Sequence, residues 1–498
     1  MLSACATLEP RPVLPIEVAL PLGQSTRLDE LLDAYEASNP GASAFRLVKD
    51  GPEAFVTRWQ SARMAGRSLD VQTYIWHGDT TGLYLAREIL AAADRGVSVR
   101  LLIDDLDARA KNLGFAALDA HRNVSVRLFN PFVSRSGKVS MVAEGLRSFG
   151  RINHRMHNKS WIADNRIALV GGRNLGDEYF GASDAVNFVD LDFAMVGPVV
   201  REASNSFDRY WNSPATYPME VLDPDHVNAT ALEKLRAWLD VNIDERRVAS
   251  YSEVLRTDDA VKHLIAGHWP MQWSTDYRFV ADDPLKALLD SHAPERSEVL
   301  SLIAPLILAA RVELDVISPY FVPGKVGTQS LVNAARGGVR VNILTNSLVA
   351  NDVAAVHGGY SRYRPQLLEG GVHLWEMKPL PDAEERSGVF GSSGASLHTK
   401  ALIVDHKSVF VGSYNLDPRS TWLNCEQGVW VANEVIAREL AAVFSRQIEP
   451  QHAWRVSLHD QQLEWSDDRE TFDHEPNASW SRRLTAWFVR VLHLDAQL

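Results

Sequence analysis

One short polar pattern occurs twice in this chain, and the second copy restricts the fold more than any other feature of the sequence. The first copy is His157-x-Lys159-x4-Asp164, followed by Gly171-Gly172-Arg173-Asn174. The second is His398-x-Lys400-x4-Asp405, followed by Gly412-Ser413-Tyr414-Asn415, 241 positions later (398 minus 157). A lone H-x-K carries little information, but the Asp, the small pair and the Asn recur at the same offsets, which makes coincidence untenable. Residues i and i+2 of a strand share a face, so the His and Lys of each copy point the same way. Asp164-Asn165 and Asp405-His406 read as turns into apolar strands at 167–170 and 409–411. The small pairs are expected to let a phosphate oxygen approach the backbone, with Asn174 and Asn415 as phosphate-binding donors.

The flanking segments repeat as well. A strand pattern at 69–74, a helical stretch at 83–95, Gly96 and a buried strand at 97–103 are matched in the second half. There the order is a strand at 314–320, a helix at 330–336, Gly337-Gly338 and a strand at 339–344. Glycine closes each helix and β-branched residues open the next strand, so β-α-β occurs twice. Parallel strands joined by helices imply an α/β fold in two similar sandwich halves. The expected organisation is an N-terminal segment at 1–39, a first half at 40–215, a linker at 216–290, a second half at 291–447, and a polar tail ending in an amphipathic helix at 448–498.

Composition excludes several classes. With 46% apolar and 23% charged residues, the 498-residue chain is ordinary globular material, long enough for two or three domains. Its formal charge of -12 argues against a nucleic-acid partner, which would call for a large basic excess. Cys5 and Cys425 are the only cysteines, so no disulfide framework or Cys-rich zinc site is expected. The apolar run at 300–310 is too short to span a bilayer. Leu2-Ser3-Ala4-Cys5 has the form of a lipobox, but only Met1 precedes it. A start further upstream would make Cys5 a lipid anchor on a peripheral membrane protein; without one, the expected location is cytoplasmic.

Two His and two Lys brought together at a pseudo-twofold interface supply what phosphodiester transfer needs, with no metal or other cofactor. One neutral imidazole attacks phosphorus and becomes a phosphohistidine, while the other, protonated, gives its proton to the leaving alkoxide. Lys159 and Lys400 hold the nonbridging oxygens as point charges, with Asn174 and Asn415 helping.

The segments HNKSWIAD…GGRN and HTKALIVD…GSYN resemble the duplicated HKD motif of the phospholipase D superfamily at every defining position. The surroundings of the first copy, Met156 to Lys159 and Gly171 to Phe180, look most like bacterial cardiolipin synthases of the C type. The resemblance covers roughly residues 40–450. It implies catalytic motif residues His157, Lys159, Asp164, His398, Lys400 and Asp405, with His157 as nucleophile, His398 as general acid and the two Asp structural. Each His also needs a carboxylate to fix its tautomer, and Asp190 and Glu426 are the candidates. Asp190 falls where cardiolipin synthases often carry Arg-Asp-x-His, with Val189 and Asp192 replacing the flanking residues.

The function implied is a phosphatidyl transferase joining two phospholipids into cardiolipin at a membrane surface. Phosphatidylglycerol is the expected substrate and phosphatidylethanolamine a candidate second lipid. A hydrolytic phospholipase D and an endonuclease of the same superfamily are the alternatives. The loops at 134–150 and 384–397 read either as the rim of the active-site mouth or as plain connections. His263, His268 and His357 show no ligand spacing and read as surface or core residues. In the tail from Ser479 to Leu498, Trp480, Leu484, Trp487, Phe488, Val491 and Leu492 form one helical stripe, with Arg482, Arg483 and Arg490 off it. That stripe suits either packing on the enzyme's own core or docking on anionic lipid.

Overall fold

The computed structural model describes residues 10–23, 25–108, 112–133, 149–243, 269–288, 297–351, 353–379 and 397–492, with 252–253, 256–257 and 262. The first sheet contains β1 (Ser43–Val48), β2 (Ser68–Thr73), β3 (Ser98–Asp104), β4 (Val124–Phe129), β5 (Ser160–Ala163), β6 (Ile167–Gly171), β7 (Asp192–Val196), β8 (Thr216–Pro218) and β9 (Gln272–Ser274). The second contains β10 (Tyr277–Ala281), β11 (Glu313–Ile317), β12 (Arg340–Asn346), β13 (His373–Met377), β14 (Ala401–Val404), β15 (Ser408–Gly412), β16 (Gln427–Ala432), β17 (Ala453–His459), β18 (Gln462–Ser466) and β19 (Thr471–Phe472). Their orders are β8-β4-β3-β2-β5-β6-β7-β1-β9 and β10-β16-β15-β14-β11-β12-β13-β17-β18-β19. β2, β3 and β4 run parallel, as do β11, β12 and β13, and in each half an antiparallel motif hairpin pairs with the first of them.

The long apolar runs in these strands follow from burial on both faces. Trp161 and Ala163 of β5 enter the core of the first half, under helices Gly51–Met64 and Thr80–Asp94, while Ile162 between them faces the other way. Leu402 and Val404 of β14 likewise enter the second half's core, and Ala401 and Ile403 turn inward. The inward set forms one shared layer with Met156, Val170, Phe193, Ile317, Leu344, Val411 and Val429, capped by helices Pro198–Trp211 and Glu434–Gln447. The halves are thus joined by a common core rather than tethered by a linker.

Several boundaries differ from the sequence reading. The stretch at 216–290 supplies β8 and β9 to the first sheet and β10 to the second, so it is woven into both. The polar tail from 448 supplies β17, which pairs with β13 as β8 pairs with β4, and β18 and β19 extend the same sheet. β19 forms the edge, while β17 and β18 place Trp454, Val456 and Trp465 in the second half's core, apolar positions set among the polar residues that dominate the tail. Residues 10–23 lie along the first half: Ala19 N–H donates to Asp208 Oδ2 at 2.7 Å, and Glu17 pairs with Arg127 at 2.6 Å. The lipobox-like residues 2–5 fall outside the described residues. Among the described residues no helix is long and apolar enough to cross a membrane. The apolar run at 300–310 lies in helix Glu298–Ala309.

Both motif hairpins turn through two consecutive left-handed residues, Asp164 (φ 54°) and Asn165 (φ 56°), then Asp405 and His406 (both φ 53°). Arg166 N–H closes the first turn on Ala163 O at 2.9 Å and Lys407 N–H the second on Val404 O at 3.0 Å, the type I′ geometry that favours Asp and Asn. The motif Asp adds a second role. Asp164 accepts N–H bonds from Gly66 (2.9 Å), Arg67 (2.7 Å) and Ser68 (2.9 Å), tying the hairpin to the start of β2. Asp405 does the same for Arg311 (3.1 Å), Val312 (2.7 Å) and Glu313 (3.0 Å) before and into β11. Their carboxylates are committed to backbone at the turn end of the hairpins.

Asp164→Ala should therefore destabilise the protein by about 3 kcal/mol or more, because a fully buried acceptor of three backbone donors is lost. Asp405→Ala, whose donors are more exposed, should cost about half as much. Denaturant titration measures both. Loss of turnover at full stability would move these residues from the fold to the chemistry.

Candidate active site

Two isolated β-bridges cross between the halves, one pairing Met156 with Cys425 and the other Val189 with Leu397. Each brings the residue before a motif histidine beside the residue before a carboxylate. His157 N–H donates to Cys425 O at 2.9 Å, Cys425 N–H donates back to Arg155 O at 2.8 Å, and His398 N–H donates to Val189 O at 2.9 Å. One residue further on, the side chains meet. His157 Nδ1 lies 2.9 Å from Glu426 Oε2 and 3.1 Å from Ser413 O; His398 Nδ1 lies 2.6 Å from Asp190 Oδ2. Each histidine is thus held by a carboxylate from the other half. Every one of these partners is an acceptor, so each Nδ1 carries the proton and each neutral ring keeps its lone pair on Nε2.

Lys159 Nζ donates to His157 O at 2.6 Å, and Lys400 Nζ donates to His398 O, so each ammonium is pinned beside its own imidazole. Both lysines are almost fully buried. Gln427 Nε2 holds Lys159 O at 2.7 Å. Aromatic rings wall the site in pieces that motif spacing did not reveal. Tyr74 meets His157 edge-on at 5.1 Å between centroids, and Lys159 Nζ lies 5.2 Å from the same ring. Tyr179 (5.3 Å) and Phe188 (5.4 Å) bracket His398. Tyr74 directly follows β2, at the carboxyl end of a parallel strand, where side chains of an α/β sheet usually meet ligands; that position was its one available signal.

The small pairs do not act as expected. A Cβ on Gly172 would run into the Asp190 carboxylate, and one on Gly412 would meet Gln427 O and Gly428. The missing side chains admit the carboxylate-bearing strand rather than a phosphate. Ser413, which stands where the first copy has Gly172, donates its hydroxyl to Glu426 Oε2 at 2.5 Å. Asn174 Nδ2 donates to the Tyr179 hydroxyl at 2.8 Å and its Oδ1 accepts from Ile75 N–H at 3.2 Å, bracing the wall beside His398. The Oδ1 of Asn415 is buried without a hydrogen-bond partner. Asp192 pairs with Arg58 at 3.0 Å and Arg173 at 3.3 Å, and Arg173 also donates to Asp190 O. Asp164 and Asp405 stay at their turns, holding backbone.

The two crossed pairs differ electrostatically. Burial, reinforced by Lys159 and Lys400, drives His157 well below its ordinary pKa, so it stands neutral. Burial and Lys400 also lower His398, but Asp190 opposes them. Burial alone would raise Asp190; His398 and Lys400 outweigh it and hold that carboxyl below its usual range. Burial raises Glu426 despite Lys159. Burial also pushes Lys159 well down against the pull of Glu426, a penalty that an anionic phosphate between the lysines would relieve. One pair favours a neutral imidazole, and the other keeps an ionised carboxylate beside a potential imidazolium.

His357 is a buried network member, 3.2 Å from Glu475, which also takes Arg364 at 2.5 Å. His263, His268 and most of the loops at 134–150 and 384–397 lie outside the described residues.

A family model described as "Cardiolipin synthase, PLD-like domain" matches the chain twice, over residues 59–211 and 303–448, once around each motif copy. Cardiolipin synthase C of Escherichia coli (strain K12) is 37% identical over 471 residues, covering 92% of this chain and 97% of the relative. An uncharacterised protein of Helicobacter pylori (strain ATCC 700392 / 26695) is 32% identical over 461 residues, covering 91% and 89%. The crystal structure of phosphatidylserine synthase from Haemophilus influenzae Rd KW20 shares the fold, with a TM-score of 0.58 at 14% identity, over 94% of this chain and 100% of the other. Doubled family domains and a relative of this identity along nearly the whole length lead to one assignment: the chain is an enzyme of the phospholipase D superfamily and belongs to its cardiolipin synthase family.

Proposed function

We propose that the protein is a phosphatidyl transferase that makes cardiolipin from two phospholipids through a phosphohistidine, working as a peripheral protein at a membrane. The observation that carries this reading is the crossed pairing of His157 with Glu426 and His398 with Asp190. It gives one neutral imidazole and one that can hold a proton, in a single site flanked by Lys159 and Lys400.

In the first step, His157 Nε2 attacks the phosphorus of phosphatidylglycerol. The P–O bond to the headgroup glycerol breaks, and His398 delivers its Nε2 proton to the departing alkoxide. Lys159 and Lys400 take the charge on the nonbridging oxygens. Asp190 stabilises the imidazolium of His398 before transfer, and Glu426 stabilises the positive charge that develops on His157. In the second step, His398 removes the hydroxyl proton of an acceptor lipid, the new P–O bond forms, and the P–N bond to His157 breaks. Water as acceptor would yield phosphatidic acid instead. Chemical complementarity and the 37% identical cardiolipin synthase favour the lipid acceptor. Phosphatidylethanolamine is a second donor candidate on the same chemistry.

Mass spectrometry of purified enzyme with phosphatidylglycerol, with and without phosphatidylethanolamine and with EDTA present, should detect cardiolipin. Phosphatidic acid alone would make the protein a hydrolase, and activity lost to EDTA and restored by a divalent ion would overturn the metal-free scheme. His157→Ala and His398→Ala should each lower turnover by about 10³-fold or more. Phosphatidyl label trapped by acid quench should sit on His157, and label on His398 would reverse the two roles. Asp190→Asn should lower kcat/KM by about 10²-fold or more. Without that negative charge His398 loses its proton at lower pH, so the alkaline limb of the pH profile should move down. An unmoved limb would remove His398 as the acid.

A further inference from the structure

The C-terminal helix Trp480–Leu492 is amphipathic, and it docks on the protein by the less apolar of its two faces. Ala486 and Val489 are its buried residues, set against helix Ala354–Ser361. The approach is close: a Cβ on Gly358 would lie 2.6 Å from Ala486 O and 3.0 Å from the Val489 Cβ. Arg482 and Arg483, expected to reach for headgroups, instead pin the helix. Arg482 donates to Leu348 O at 3.1 Å and to Asn351 O, and Arg483 to Glu475 O at 2.8 Å. Glu475 is itself fixed by Arg364 and His357, which hold it ionised although burial works the other way. The helix is therefore locked in place by one face.

The opposite face carries the large side chains. Trp480 is 77% exposed, Trp487 51%, Phe488 49% and Leu484 37%, with Arg490 exposed on the flank. Positions 480, 484, 487 and 488 lie roughly 180° around the helix from 482, 486 and 489. Core packing therefore does not account for the stripe. The dock and the active-site half share one connecting segment. The residues that receive Arg482, Leu348 and Asn351, lie two and five positions after Asn346, whose Nδ2 holds Leu397 O at 3.0 Å, the residue before His398.

We propose that this stripe is the surface by which the protein rests on a phospholipid bilayer, an inference that builds on the phospholipid substrate proposed above. Two tryptophans, a phenylalanine and a leucine match the boundary between headgroups and acyl chains, where an aromatic ring is half in oil and half in water. Arg490 meets anionic headgroups at the edge of the contact. A chain of formal charge -12 is repelled by an anionic surface, so a local apolar and cationic contact is needed to hold it there. The dock of Arg482 on Leu348 and Asn351 fixes the stripe to the body of the enzyme, so the protein rests on the bilayer in a set orientation.

The test is co-sedimentation of the full-length protein with phosphatidylcholine vesicles containing phosphatidylglycerol. Replacing Trp487→Ser and Phe488→Ser together should weaken vesicle binding by about tenfold or more, since both side chains leave the acyl boundary. Melting temperature and turnover of dispersed short-chain phosphatidylglycerol should stay unchanged. A second variant, Trp480→Cys carrying an environment-sensitive fluorophore, should shift to the blue on vesicles even if the double variant folds poorly. Unaltered binding by the double variant, or no shift from the fluorophore, would overturn the proposal. So would a sedimentation-equilibrium dimer that the double variant abolishes while vesicle binding persists, because the stripe would then be a protein interface. Vesicle binding is read without turnover and short-chain turnover without vesicles, so failure of docking and failure of the transferase reading give different results.

Discussion

Each motif imidazole depends on a carboxylate from the opposite half of the molecule, and most of the architecture can be understood as the means of holding that exchange. His157 of the first half reaches Glu426 of the second at 2.9 Å, and His398 of the second reaches Asp190 of the first at 2.6 Å. The β-bridges at Met156–Cys425 and Val189–Leu397 align backbone so that the following side chains must meet. Behind them, the shared core of Phe193, Val170, Val411 and Val429 leaves no freedom for one sheet to slide on the other. Neither half alone carries an oriented histidine, and β9 and β10, consecutive strands on the two sheets, carry the chain from one half to the other.

Symmetry of sequence does not produce symmetry of environment. The Tyr74 ring beside His157 and Lys159 stands where the second copy has Pro319, each two positions after the residue, Gln72 or Ile317, that pairs with the start of the motif hairpin at Ser160 or Ala401. Glu426 shares its oxygen between His157 and Ser413, while Asp190 receives His398 and Leu191 N–H on separate oxygens. Asp190 lies under Arg173 and is held ionised; Glu426 is raised by burial. Environments that push two like groups apart are what acid–base chemistry requires, since one ring must start neutral and the other protonated. On the proposed scheme the two roles are separated by what surrounds each pair, Lys159 and Lys400 against His157 and the ionised Asp190 beside His398, with Ser413 in place of Gly172 adding a donor to Glu426.

How much of this was legible in the sequence depended on whether the signal was local. The hairpin turns were readable because Asp164-Asn165 and Asp405-His406 use local left-handed geometry that few residue types accept. The carboxylates Asp190 and Glu426 were readable as residue types, but their exchange between halves was not, because that pairing spans 269 positions in one case and 208 in the other. The glycines misled for the same reason: the group that needs their missing Cβ is Asp190, on another strand, and a sequence offset cannot distinguish it from a ligand. Strands β17 to β19 were masked by the polar composition of the tail, although Trp454, Val456, Leu463 and Trp465 alternate with polar residues and pack on the second half's core. Asn174 was expected to donate to a phosphate; in the fold its amide donates to the Tyr179 hydroxyl, an acceptor five residues on that spacing alone does not single out.

On the proposed two-step scheme, a transferase with this geometry also faces a problem of order. After the first transfer the headgroup alcohol must leave and the acceptor must enter against the same histidine, because the proton taken from the leaving group's successor returns to the Nε2 that gave one up. In that scheme His398 has to be accessible to two successive alcohols, while His157 holds the phosphorus from the first step until the acceptor displaces it. The burial pattern agrees: the His157 side chain is 11% exposed and the His398 side chain 20%. Water can use the same opening, so the choice between transfer and hydrolysis falls on how well a lipid hydroxyl competes at His398. A surface that holds the protein against a bilayer raises the local supply of lipid hydroxyls and lowers that of water, which is an effect of concentration and leaves the chemistry of the crossed pairs unchanged.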